Sequence, residues 1–144
     1  MELTERWATD SDRSWLWDIY QDLLKPCITS QWGWDEEFQQ QLFKTDLPLH
    51  EFVIHSKSGI DVAASLVRNE LDHYYVKMLL VVEEFQSMGI GRFLIERLIS
   101  KAQQDTKSIR LSVIKTNDVT GFYEKLGFIR TGEDDCSTKY RYAP

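Results

Sequence analysis

VVEEFQSMGIGRFLIERL, residues 81–98, joins the end of an apolar run to an amphipathic helix through two acids and two glycines. The residues before it, HYYVKMLLVV at 73–82, are β-branched, aromatic or aliphatic almost throughout, the pattern of a strand buried on both faces. After the glycines the period changes. Ile90, Leu94, Ile95, Leu98, Ile99 and Ala102 recur at helical spacing and predict a helix from 89 to about 104. A strand that passes straight into a helix with an apolar face belongs to a layered α/β architecture.

The rest of the chain alternates in the same way. Residues 2–9 suit a first strand, and Asp12 can cap a helix carrying Trp15, Leu16, Ile19, Leu23 and Leu24 that ends before Pro26. A second helix is expected from Asp35 to about Thr45, with Phe38, Leu42 and Phe43 on one side. EFVIHS and VAASLVRN flank the turn-forming KSGID, so 51–56 and 61–69 read as a hairpin. IRLSVIK is a further strand, and DVTGFYEKL at 118–126 is a short helix with Gly121 inside it and Gly127 closing it. FIRTG and STKYRYA supply the last strands. The expected fold is α/β (α+β): a mixed, mostly antiparallel central sheet of about six to seven strands flanked by about four helices. No repeat or flexible linker divides residues 1–144, which are expected to form a single domain.

Composition narrows the function. Five Trp, six Tyr and seven Phe among 144 residues, with 42% hydrophobic content, argue for a packed core over disorder. The net charge of -6, from 17 basic and 23 acidic residues without a basic cluster, argues against a nucleic-acid partner and suits a cationic ligand. No apolar run approaches the ~20 residues of a membrane span, and MELTERWATDSDR lacks the basic end and apolar stretch of a secretory signal. A cytoplasmic chain with no membrane partner and reduced Cys27 and Cys136 is the expectation. His50, His55 and His73 lack metal-ligand spacing and are expected at the surface or at strand edges, so no metal is expected.

A helix N-terminus carries unpaired N–H groups and partial positive charge, and glycines there let an anion approach several amides at once. Gly89 and Gly91 therefore suit a phosphate cradle; equally, they relieve crowding in a tight turn. The loop is not a dinucleotide fingerprint, because its third glycine would fall at Leu94, nor a nucleotide P-loop, because no Gly-Lys-Ser/Thr follows.

Gln86-Ser87-Met88-Gly89-Ile90-Gly91 resembles the Gln/Arg-x-x-Gly-x-Gly/Ala motif of the GNAT superfamily of acetyl-CoA-dependent N-acetyltransferases. About 30 residues on, Phe122-Tyr123-Glu124-Lys125-Leu126-Gly127-Phe128 is similar to that family's FYEKLGF segment, and LKPCITSQWGWDEEFQ resembles a group of its members with a WGWDE segment. The resemblance implies that the backbone N–H groups of residues 86–91 hold the pyrophosphate of acetyl-CoA. It implies that Leu79 and Val81 offer main-chain groups to the pantetheine arm. Arg92 either adds a phosphate contact or is solvated. Asn117 either anchors the pantetheine or caps the 118–126 helix, its spacing to Tyr123 being one residue shorter than usual.

An amine attacks a thioester only as the free base, so such a site removes a proton, holds an oxyanion and protonates the departing thiolate. The resemblance gives the last role to Tyr123. The base is left open: no acid lies between His73 and Val82, and Glu83 and Glu84 are nearest, with Glu84 the candidate. Trp32, Trp34 and Glu36 are candidates for binding the acceptor, with Glu36 and Glu37 alternatively serving their own helix. The expected activity is direct acetyl transfer from acetyl-CoA, as cosubstrate, to a primary amine of a small molecule or peptide by a monomer or homodimer. The alternatives are a coenzyme-A-binding domain without turnover and transfer of another acyl group.

Overall fold

The structure is a computed structural model that describes residues 1–116, 119 and 121–144. In chain order the strands and α-helices are β1 (Thr4–Trp7), α1 (Arg13–Trp32), α2 (Glu36–Thr45), β2 (Val53–Lys57), β3 (Ile60–Asn69), β4 (His73–Val81), α3 (Ile90–Asp105), β5 (Ser108–Ile114), α4 (Phe122–Lys125), β6 (Ile129–Glu133) and β7 (Ser137–Tyr142). The strands form one seven-stranded sheet in the order β1-β2-β3-β4-β5-β7-β6. The β4–β5 pair is parallel and the other neighbours are antiparallel, so the expected α/β sandwich with a mixed sheet is what the chain forms.

Alternation along β3 and β4 divides the core between the two faces. Ile54, Ala64, Leu66 and Leu80 pack with Leu16, Ile19, Tyr20 and Phe43 from α1 and α2. On the other face Ile95 and Ala102 of α3 meet Tyr74, Val76, Ile109 and Leu111, while Ile90 and Leu94 meet Val62 and Ala63. No helix among the described residues is long and apolar enough to cross a membrane.

Several local expectations are corrected. α1 does not stop before Pro26 but runs through it to Trp32. Burial of Ile19 and Tyr20 ahead of the proline and of Ile28 beyond it outweighs the missing hydrogen bond. Asp12 does not cap α1 with its side chain; the carboxylate turns back to accept from Thr9 N at 2.8 Å and from Arg6 at 2.7 and 2.9 Å. That pairing holds Asp12 down at about 2. On α2, whose N-cap Asp35 accepts from Phe38 N, the buried face is Gln39 and Phe43, and Phe38 is 61% exposed. Gln39 is drawn inward because Tyr20 Oη donates to its Oε1 at 2.8 Å.

His55 is also not a surface residue. It is 2% exposed on β2, where Nε2 lies 2.8 Å from Ser65 Oγ and Nδ1 lies 3.1 Å from Glu5 Oε2 without the direction of a hydrogen bond. Glu5 in turn pairs with Arg97 of α3. Burial pushes the imidazole below its ordinary value, against the pull of Glu5 and with the push of Arg97. His50 stands in a 3-10 turn, Leu49–Glu51, and His73 Nδ1 lies 2.7 Å from Asp72 Oδ1.

Because the folded-state value of His55 is depressed, the unfolded chain takes up the proton first as pH falls below about 6.5. The stabilisation is present above that pH and is lost as pH falls through the folded value. Urea midpoints at pH 7.0 and 5.5 will show a larger acid-side drop for the parent than for His55→Gln; equal drops would remove His55 from the linkage.

Candidate active site

The site begins where two strands part. β4 and β5 are paired only over His73, Tyr74 and Tyr75 against Ser108, Ile109 and Arg110. Beyond Tyr75 the β3–β4 register shifts, with Leu66 opposite Met78 and Val67 opposite Val76, which leaves Lys77 as the extra residue of a bulge. A bulge sharpens the local twist, and past it β4 has no partner on the β5 side among the described residues. The result is a cleft of about 960 Å³ lined by Val76 through Val81 of β4, Leu111 through Ile114 of β5, the 85–92 loop, Phe122, Tyr123 and Leu126.

Strand alternation decides which main-chain groups face this opening. Val82 N donates to Val62 O at 2.9 Å, so the Val82 amide points toward β3 and those of Val81 and Leu79 point the other way, into the cleft. The second half of α1 lies along the same opening: Leu23 and Leu24 line it, and Thr116 Oγ1 donates to Cys27 O at 3.1 Å.

The loop after β4 turns the chain into α3. Glu83–Phe85 form a 3-10 turn, closed by Gln86 N donating to Glu83 O at 3.1 Å, and Phe93 N donates to Gly89 O at 2.9 Å. Between these two bonds the N–H groups of residues 87–92 find no main-chain partner among the described residues. Gly89 is the N-cap of α3 with φ +83°, in the left-handed region. Ser87 is left-handed too, at φ +66°. Successive amides that converge at a helix N-terminus attract anions without a basic side chain. Gly91 lies at the floor, where an added Cβ would stand 3.8 Å from Phe122 Cζ and 3.9 Å from Val81 Cγ2.

Tyr123 faces the cleft from α4. It packs against Phe122, Phe128 and Tyr140 at centroid distances of 4.9, 5.5 and 5.6 Å. Burial, aided by neighbouring Tyr140, pushes its hydroxyl up to about 12, so it is a proton donor across the physiological range. Gly121 is not inside α4. It is the N-cap, at φ +80°, and a left-handed position explains a glycine there better than any crowding by a ligand.

The structure thus brings Leu79, Val81, Gln86, Ser87, Gly89, Ile90, Gly91, Arg92 and Tyr123 together around one cleft. Met88, in the same loop, is exposed. Arg92 lines the cleft and at the exposed helix surface its Nε donates to Glu96 Oε1 at 2.7 Å. Asn117 lies outside the described residues. Trp34 packs on Trp17 and Tyr20, and its Nε1 donates to Glu36 Oε2 at 2.7 Å, so that the tryptophan and the acid engage each other. Trp32 is 56% exposed at the end of α1, and none of Trp32, Trp34 and Glu36 lines the cleft. Glu84 is exposed and borders a separate cleft of about 530 Å³, with Trp15, Asp18, Ile19, Asp22, Leu23, Val82 and Glu83. Leu23 lines both openings. Asp18 and Asp22, two acids four apart on α1, share a helix face, a spacing legible in the sequence. No group of three or more metal-ligating side chains occurs among the described residues.

Residues 31–144 match the family model of the acetyltransferase (GNAT) domain. The chain belongs to the GNAT acetyltransferase family. It is 36% identical over 80 residues to N-alpha-acetyltransferase 60 of Xenopus tropicalis, a match covering 52% of this chain and 33% of that protein. A Dictyostelium discoideum relative whose name reads probable serine/threonine-protein kinase is 30% identical over 70 residues, 49% of this chain and 7% of its own length. The chain thus spans a third or less of these relatives. In fold it is similar to the PaiA N-acetyltransferase of Thermoplasma acidophilum in complex with coenzyme A, with a TM-score of 0.78, 16% identity and 100% of both chains covered. Naa50 of Arabidopsis thaliana, in complex with the bisubstrate analogue CoA-Ac-MVNAL, matches with a TM-score of 0.69 and 17% identity over 100% of both chains.

The two loop glycines will respond differently to substitution. Gly89→Val forces a β-branched residue into the left-handed region and is expected to cost about 1–2 kcal/mol in stability. Gly91→Ala meets only ordinary contacts in a first helical turn and will be neutral or up to about 1 kcal/mol stabilising. Denaturant titrations of both variants test the contrast.

Proposed function

We propose that the chain is an N-acetyltransferase that moves the acetyl group of acetyl-CoA directly to a primary amine. The observation that carries this reading is the union, in one cleft, of a strand edge and a row of helix N-terminal amides that have no main-chain partner among the described residues, with a protonated tyrosine. The strand edge suits the amide-bearing pantetheine arm, which can add to β4 at Leu79 and Val81 as β5 does further back. The loop amides of residues 87–92 suit the diphosphate. Family membership and the coenzyme A in the PaiA complex support the same assignment of roles.

The reaction needs the amine nitrogen to attack the thioester carbonyl, the carbon–sulfur bond to break and the sulfur to leave with a proton. Tyr123, held protonated by burial, gives its hydroxyl proton to the departing thiolate and recovers it from solvent. A main-chain N–H of β4 that faces the cleft, at Leu79 or Val81, holds the oxyanion.

The acceptor enters from the side of Leu23, where the smaller cleft adjoins the larger. Asp18, Asp22, Glu83 and Glu84 surround its apolar floor, a setting for a cationic amine. Glu84, which borders this entrance and not the cleft of Tyr123, serves as base by receiving the ammonium proton through water. A peptide N-terminus fits as well as a small amine, and the Naa50 complex with a peptide-bearing analogue supports it.

Turnover is tested by thiol release from acetyl-CoA across a panel of small amines and short peptides. Tyr123→Phe will lower kcat at least tenfold and leave coenzyme affinity within about twofold. Equal turnover would remove Tyr123 from the chemistry. Gly89→Val will abolish coenzyme binding in a chain that stays folded, measured by calorimetry beside circular dichroism.

A further inference from the structure

Gln86 opens the loop that carries the free amides, yet it contributes none of them. Its own N–H is consumed by Glu83 O at 3.1 Å. Its side chain is exposed, and Nε2 donates to Val81 O at 3.0 Å. Val81 C=O is one of the groups that strand alternation turns into the cleft, at a point where β4 has already lost β5 as a neighbour. The amide of Gln86 therefore takes the place of a missing strand on that carbonyl.

The chain beyond Gln86 needs such a tie. Ser87 and Gly89 both adopt left-handed backbone, at φ +66° and φ +83°, and the serine is strained there. Residues 86–89 are all exposed, and the first buried side chain after them is Ile90. Behind Gln86 the 3-10 turn and half-buried Phe85 hold the segment to the sheet. The hydrogen bond from Gln86 to Val81 is the one side-chain hydrogen bond among the described residues that fastens residues 86–89 to β4.

We propose that Gln86 is a positioning residue: its side-chain amide, bonded to the Val81 carbonyl, holds the 87–92 amides in the shape that receives the diphosphate, without contacting the coenzyme itself. The inference rests on the coenzyme reading above and refines it. It moves recognition of the pantetheine arm from the Val81 carbonyl to the Val81 N–H and the Leu79 main chain. It also makes the donor character of the side chain the essential property. Gln86→Glu keeps the shape and sets an acceptor-only carboxylate against a carbonyl; Gln86→Ala removes the tie.

The test uses the full chain with two acyl donors, acetyl-CoA and S-acetylpantetheine, which lacks the diphosphate. Backbone amide NMR order parameters are measured without any ligand. Both variants are expected to fold, since the side chain is exposed. In each, the order parameters over residues 87–89 will fall toward the flexible range below about 0.6, KM for acetyl-CoA will rise about five- to tenfold and kcat at saturation will hold within twofold. KM for S-acetylpantetheine will not change. Unaltered order parameters in the loop overturn the proposal, and so does an equal loss with both donors, which would make Gln86 a direct contact to the pantetheine arm. If the parent chain itself binds no acetyl-CoA, the coenzyme reading fails, while the NMR measurement still decides whether Gln86 holds the loop.

Discussion

The separation of β4 from β5 is the constraint on which the site depends. A parallel pair that stayed in register would satisfy both edges of β4 and leave a closed sheet with no cleft. Here pairing ends after three residues, and the bulge at Lys77 turns β4 away from its neighbour. Unpaired backbone in a protein interior is costly, so such an edge persists only where water, a side chain or a ligand takes up its groups. On the open edge of β4 the Gln86 amide takes up the Val81 carbonyl, and Leu23 and Leu24 of α1 line the same cleft.

Charge is handled by geometry more than by basic residues. The loop amides sit at the N-terminus of α3, a helix of 16 residues, whose first turn also carries Arg92, paired with Glu96 at the exposed surface. Peptide dipoles supply a positive field at the loop while the chain as a whole carries -6. The acids at the smaller cleft give the other side of Leu23 the opposite sign. An anion and a cation would then approach the same region from different directions.

Polar side chains, some buried and some at the surface, tie the layers together. His55, Ser65, Glu5 and Arg97 link β2, β3, β1 and α3, and Tyr20 with Gln39 links α1 to α2. The tether from β1 and β2 to α3 acts on the helix whose first turn carries the free amides. Tyr20 and Gln39 are buried, and in a low-dielectric setting an unpaired polar group is expensive, so their hydrogen bond specifies how α1 and α2 sit as well as adding stability.

The sequence by itself determined the order of elements, the two faces of α3, the strand-to-helix handover and the family to which the chain belongs, because local periodicity and contiguous motifs are written in adjacent residues. It also made the glycine of the α3 cap legible. It could not reveal that α1 passes through Pro26, that Gln39 replaces Phe38 on the buried side of α2, or that His55 is enclosed; each is settled by partners far along the chain. The same holds for the parting of β4 and β5, the inward turn of the Val81 carbonyl and its capture by Gln86. Local pattern dictates which face of an element is apolar, whereas register, strand separation and the pairing of polar groups are fixed only when distant segments compete for the same space and the same hydrogen bonds.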